Sequence, residues 1–324
     1  MAGEGLLELI AYGAQDMYLT GNNRSILKFR IYYTKHIIED IIVGFKIYNV
    51  EFIGTGWTNI AGNTHVKSNK FNGFKISKKS GKYNQSYRST TECKNMFNFG
   101  YKAINCEKCN LTKLPKFKSI DKFKKMTHFN CSNNKIKNIE KLLYTNELIW
   151  LNCSYNDLKS IPKKIFSLEY FDLSNNSVEA NINGHMYPKL KYLLASSNKI
   201  KSVLNLSDNL EYLDLSNNPV SELKNLPSGL KYLLVVETGI KSIDFSELEN
   251  LEYLDISIND LTTSCLDGLP RSLVYLNCSQ CGSGISKLNN LPNIIQLICI
   301  NNDIQILEML PETLEYLDCD HNKI

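Results

Sequence analysis

The 324 residues are 43% hydrophobic and 22% charged, a balance too apolar for a chain that stays unfolded. No run of about 18 apolar residues occurs, which excludes a helical membrane span, and Met1 to Ile10 carries Glu4 and Glu8 where a secretory signal would carry Lys or Arg. The net charge of +4 hides an asymmetry: residues 67–141 hold 19 Lys/Arg against 4 Asp/Glu, and the rest of the chain holds 18 against 29.

The first patterned stretch reads Gly5-Leu6-Leu7-Glu8-Leu9-Ile10-Ala11-Tyr12-Gly13-Ala14-Gln15-Asp16-Met17-Tyr18-Leu19-Thr20-Gly21-Asn22. It resembles the amino-terminal segment of the major capsid proteins of nucleocytoplasmic large DNA viruses. Phe29 to His36 is similar to the continuation in that family, with Thr34 and Lys35 where the pattern has two Arg, and Asn23-Arg24 where it usually has Asn-Pro. What the resemblance implies is a giant-virus protein with a capsid-docking segment over residues 1–40, in the virion or the host cytoplasm. Leu6, Leu7, Tyr12, Gln15, Asp16, Tyr18 and Leu19 would do the docking. It does not imply a shell protein, because the chain before the repeats is too short for the double jelly roll of that family. A second outcome stays open, in which these apolar residues fold onto Ile41 to Trp57.

Residues 41–95 read as a small β-rich region running into a basic linker. Ile41 to Ile53 is apolar and β-branched enough for one or two strands, and Asn69 to Thr91 is a loop rich in Lys, Ser, Asn and Tyr. The basic block 67–141 is a candidate for nucleic acid or an acidic surface, or else a solvated linker and capping region.

From residue 96 to 324 one pattern repeats. It runs L-x-x-L-x-L-x-x-N-x-L, as in Leu190/Leu193/Ala195/Asn198/Ile200 and Leu210/Leu213/Leu215/Asn218/Val220, and again at Leu148, Leu168, Leu230, Leu251, Ile294 and Leu314. Three looser units begin at Tyr101, Met126 and Leu273, making eleven, with Thr238, Cys109 and Cys281 standing at the Asn position of their units. The pattern resembles the leucine-rich-repeat family. The fold expected is therefore a leucine-rich-repeat solenoid of the α/β-horseshoe class, mostly parallel β with an irregular convex side. Each unit supplies one short strand and closes its neighbour's core. Units of this length leave little room for a helix, and Leu226-Pro227, Leu269-Pro270, Leu291-Pro292 and Leu310-Pro311 favour extended backs.

The register accounts for the motifs that look like chemistry. Cys106-x-x-Cys109 and Cys278-x-x-Cys281 have the spacing of zinc or redox pairs, yet each fills a core position and the Asn position of its own unit. Cys131, Cys153, Cys299 and Cys319 fall on the same core position, so reduced, packed thiols are expected and no metal or cofactor. The five histidines are scattered, and no nucleophile elbow, phosphate loop or dinucleotide fingerprint occurs, so no enzyme is expected.

Binding then falls to the strand positions that alternate with the core. One column holds Trp150, Tyr170, Tyr192, Tyr212, Tyr232, Tyr253, Tyr275 and Tyr316, and the column two residues on includes Asp172, Asp214, Asp255 and Asp318. A concave face of Tyr and Asp suits a protein partner, and its acidity argues against nucleic acid on the repeats. The competing reading has the tyrosines stack between coils and brace the sheet. Before that column, Glu169, Lys191, Glu211, Lys231 and Glu252 alternate in sign, which predicts a ladder of ion pairs. The function expected is a non-enzymatic protein–protein scaffold, capsid-associated through its first residues. The alternative is a host-directed adaptor that binds a signalling or ubiquitin-pathway protein.

Overall fold

The computed structural model describes residues 104–114, 124–162 and 164–324 in full, and Ala103 and five amino-terminal strands as backbone alone. Of these, Leu7–Ala11 pairs antiparallel with Tyr18–Leu19 and with Thr58–Ile60, and Ile31–Tyr33 pairs antiparallel with His36–Ile38. Leu6, Tyr12, Gln15 and Asp16 of the docking segment, the strands expected over residues 41–53 and the linker over 69–91 lie outside the described residues. The chain divides into two compact units. One is Met1–Asn110 with Pro115–Asn130, and the other is Leu111–Leu114 with Cys131–Ile324.

In the second unit nine three-residue strands, from Trp150–Asn152 to Tyr316–Asp318, stack in parallel with equivalent residues opposite one another. The first unit carries the parallel pair Ala103–Asn105 and His128–Asn130. Each of the eleven units therefore contributes one strand, at the place its leucine register assigns. The stacking follows from burial: Leu193, Leu213, Leu233, Leu254, Leu276 and Leu297 point inward and lie fully buried against the coils on either side. At about 1.5–3 kcal/mol for each buried side chain, no coil keeps its core without its neighbours.

A left-handed turn closes every coil after its strand, and in five coils a second follows on the convex side. The residue before the Asn position takes a left-handed backbone in all eleven units, from Lys108 to His321, with φ between 52° and 57°. The second left-handed residue precedes the leucine of the convex side, at Asn205, Asn225, Gly268, Asn290 and Met309. Asn and Gly tolerate that conformation, whereas Ile258 and Met309 do not. Both side chains are exposed, Met309 by 74%. Ile258→Asn and Met309→Asn are each expected to raise stability in urea unfolding by about 1 kcal/mol, because the equivalent positions already carry Asn.

Between the strands the backbone is extended, as the Leu-Pro pairs require. Apart from a helical residue at Lys124, helical structure among the described residues amounts to the short 3-10 turns Glu140–Tyr144, Gly184–Met186 and Thr263–Leu266. Two small parallel pairs form on this side, Ile182–Asn183 with Val203–Leu204 and Lys287–Leu288 with Ile306–Leu307. Leu317 is 37% exposed and Ile324 66%, while Leu297 and Ile304 one coil earlier are fully buried.

Candidate interaction surface

The asparagine after each strand fastens its coil to the one before. Asn198 donates from Nδ2 to the carbonyls of its own Ala195 and Ser196 at 3.1 Å and of Leu173 in the preceding coil at 3.0 Å, and its Oδ1 accepts the Val178 N–H at 3.0 Å. Asn156, Asn176, Asn218, Asn259 and Asn322 do the same. Where Thr238 stands instead, no amide oxygen reaches back, and the Val220 N–H closes a tight turn on the Asn218 carbonyl at 2.8 Å. This ladder holds the strand face in register.

On that face the aromatic column is largely covered by its own members. Trp150 stacks on Tyr170 with centroids 5.2 Å apart, Tyr212 meets Tyr232 at 5.8 Å, and Tyr253 lies on Tyr275 at 4.0 Å. Trp150, Tyr212 and Tyr253 are buried, Tyr170, Tyr192, Tyr232 and Tyr275 are half-buried, and Tyr316 is 50% exposed. The column is therefore only partly exposed. Rings repeated every ~4.8 Å fill the space above the sheet, so a position that points out of the core is still sheltered by the coils beside it.

The acidic column proves to be turn chemistry. Asp172 Oδ1 accepts the Ser174 N–H at 3.0 Å, Asp214 the Ser216 N–H at 2.9 Å and Asp255 the Ser257 N–H at 3.1 Å. Asn152 and Asn277 hold the N–H groups of Ser154 and Ser279 in the same way. Asp172 and Asp214 are buried, and Asp255 and Asp318 are half-buried. Burial raises the pKa of Asp172 to about 6 and pushes those of Asp214 and Asp255 up, while the serine donors oppose the shift.

A carboxyl whose folded pKa is raised contributes its full stability below its unfolded pKa near 4, and that contribution is lost as pH rises through the folded value. Asp172→Asn keeps the turn acceptor and removes the charge. The variant is expected to match wild type near pH 4 and to exceed it above pH 6 by up to about 3 kcal/mol, read from urea midpoints across that range.

The alternating charges form separate pairs. Lys191 Nζ reaches Glu169 at 3.0 Å and Lys231 Nζ reaches Glu211 at 3.2 Å. Each lysine chooses one neighbour, so the ladder breaks into pairs. His128, at the head of the aromatic column, is held neutral by burial, its pKa lowered to about 4.

The cysteines of the core column are free and buried, apart from half-buried Cys319. Burial pushes the thiols of Cys281 and Cys299 up to about 11 and about 12, so they stay protonated and are poor nucleophiles. The reduced state expected for all ten does not hold at Cys109, which takes part in a disulfide. Among the described residues no cluster of three His, Cys, Asp or Glu could hold a metal ion, and no helix is long and apolar enough to cross a membrane.

Comparison with known proteins agrees with this geometry. The sequence model for the Leucine Rich Repeat family matches residues 209–233. YopM from Yersinia enterocolitica WA-314 is 26% identical, with a TM-score of 0.52 over 68% of this chain and 55% of YopM. The fold is that of a leucine-rich-repeat protein. The chain is also similar to YopM from Yersinia pestis, at 23% identity and a TM-score of 0.51 over 68% of this chain and 72% of that one. A chain of the octameric complex of Latrophilin 3, Unc5D and the repeats of FLRT2 gives 23% and 0.57 over 68% and 74%. No curated protein matches in sequence.

Proposed function

We propose that the protein is a non-enzymatic scaffold that binds a protein partner on the strand face of its repeats. The observation that carries this reading is the division of that face. Its middle is closed by stacked rings, while toward the last coils it opens, with Gln296 and Tyr316 exposed and Tyr275, Asn277 and Ile298 half-buried. Rigid aromatic and amide groups on a stiff parallel sheet offer contact area at little entropic cost. A photo-cross-linking amino acid at Gln296 should capture a partner from infected-cell extract, and the same group at Leu204, on the short strand behind, should not. Capture at Leu204 alone would sink the reading.

The finer part of the proposal is association with a capsid through residues 1–40. It is supported by the resemblance of Gly5 to Asn22 to the major capsid proteins. Deleting Met1 to His36 should leave the thermal transition of the repeats unchanged and remove the protein from purified particles. Copurification of the truncated chain at normal stoichiometry would defeat capsid docking and leave the host-directed adaptor.

A further inference from the structure

The strand face changes character after the Tyr253–Asp255 strand. In the earlier coils each outward glutamate has a lysine beside it, Glu169 with Lys191 and Glu211 with Lys231. From Glu252 onward the outward positions hold no Lys or Arg. The coil of the Tyr253–Asp255 strand presents Glu252 and Asp255, and the last presents Glu315, Asp318 and Asp320. Between them the two middle coils present Val274, Ile295, Ile298 and Ile300, exposed or half-buried, with the amides of Asn277 and Gln296 among them. An apolar valley two coils wide therefore lies between two acidic rims. Among the described residues neither Glu252 nor Glu315 is in an ion pair.

Resting on the strand-face reading above, we infer that this valley takes an extended basic segment of a partner protein, with arginine or lysine four residues apart and an apolar side chain midway. The spacing follows from the sheet. The rims are three coils apart, about 14 Å at ~4.8 Å per coil, and four residues of extended chain span about the same length. The apolar side chain drops onto Val274 and Ile295, which share a row with the two glutamates, the two cations meet Glu252 and Glu315, and the arginine at the far rim lies beside the Tyr316 ring, where a guanidinium gains from ring and carboxylate together. The sign excludes an acidic partner, because two further carboxylates would be pressed against five.

The test uses the full chain and a fluorescein-labelled peptide carrying arginines four residues apart with a leucine midway, read by fluorescence anisotropy. Binding is expected to weaken with salt and to fall about tenfold in the double variant E252K/E315K. The control E222K/E247K makes the same change of net charge away from the valley and should bind as wild type. No binding, an equal fall in both doubles, or equal binding of the peptide with glutamates for arginines overturns the inference. A natural partner that cross-links at Gln296 yet is held undiminished by E252K/E315K overturns it too, while leaving the strand-face reading in place.

Discussion

Asn198→Ala is expected to cost about 1–3 kcal/mol of unfolding free energy, the penalty for a buried polar group left unsatisfied. The amide makes four hydrogen bonds, two of them into the preceding coil, and alanine replaces none of them. The Val178 N–H would then be left without a partner, while the Leu173 carbonyl keeps the Asn176 amide at 2.9 Å. Urea unfolding followed by circular dichroism measures the loss. A loss under about 1 kcal/mol would mean that water enters and satisfies this N–H, and that the amide ladder is not what holds the coils together. Thr238→Asn is the converse change. It would give Val220 the acceptor its neighbours have, and a gain is expected.

Gly284→Ala is the second large effect. A Cβ at Gly284 would lie 2.0 Å from the Leu261 carbonyl oxygen and 3.1 Å from the Thr262 Cα, and at Gly184 it would lie 2.1 Å from the Asn205 oxygen. These are backbone atoms of an adjacent coil and cannot rotate away, so the coils must part. The cost is expected at about 3 kcal/mol or more, at or above the usual range for overpacking. Gly229→Ala serves as the control, because its Cβ would meet the Asp208 oxygen at 3.3 Å and a slight shift relieves it. Equal midpoints for Gly284→Ala and Gly229→Ala would show that the convex side is loosely packed.

The positions of the strands were legible because stacking imposes them. A coil has one place for Leu213 and one for Asn218, and a neighbour a whole unit away repeats both, so period and register are written in the residues themselves. The exposure of the strand face was not legible in the same way. Alternation tells that Tyr212 points away from the core, but not that Tyr232, one coil on, lies across it at 5.8 Å. The role of Asp172 was hidden for a similar reason. Its partner Ser174 lies two residues on, in a turn closed by the side chain itself, which the leucine spacing does not announce. Nor does alternation of Glu and Lys say which neighbour Lys191 will choose.

The direction of the amide bonds bears on how the chain is made. Asn198 supplies partners to Leu173 and Val178, which precede it, and Asn218 does the same for Ala195 and Ile200. A coil leaving the ribosome therefore meets a predecessor with an inward N–H still waiting, and satisfies it as it docks. Through most of the array a nascent chain carries one unfinished coil at its growing end, and the next unit to emerge closes it.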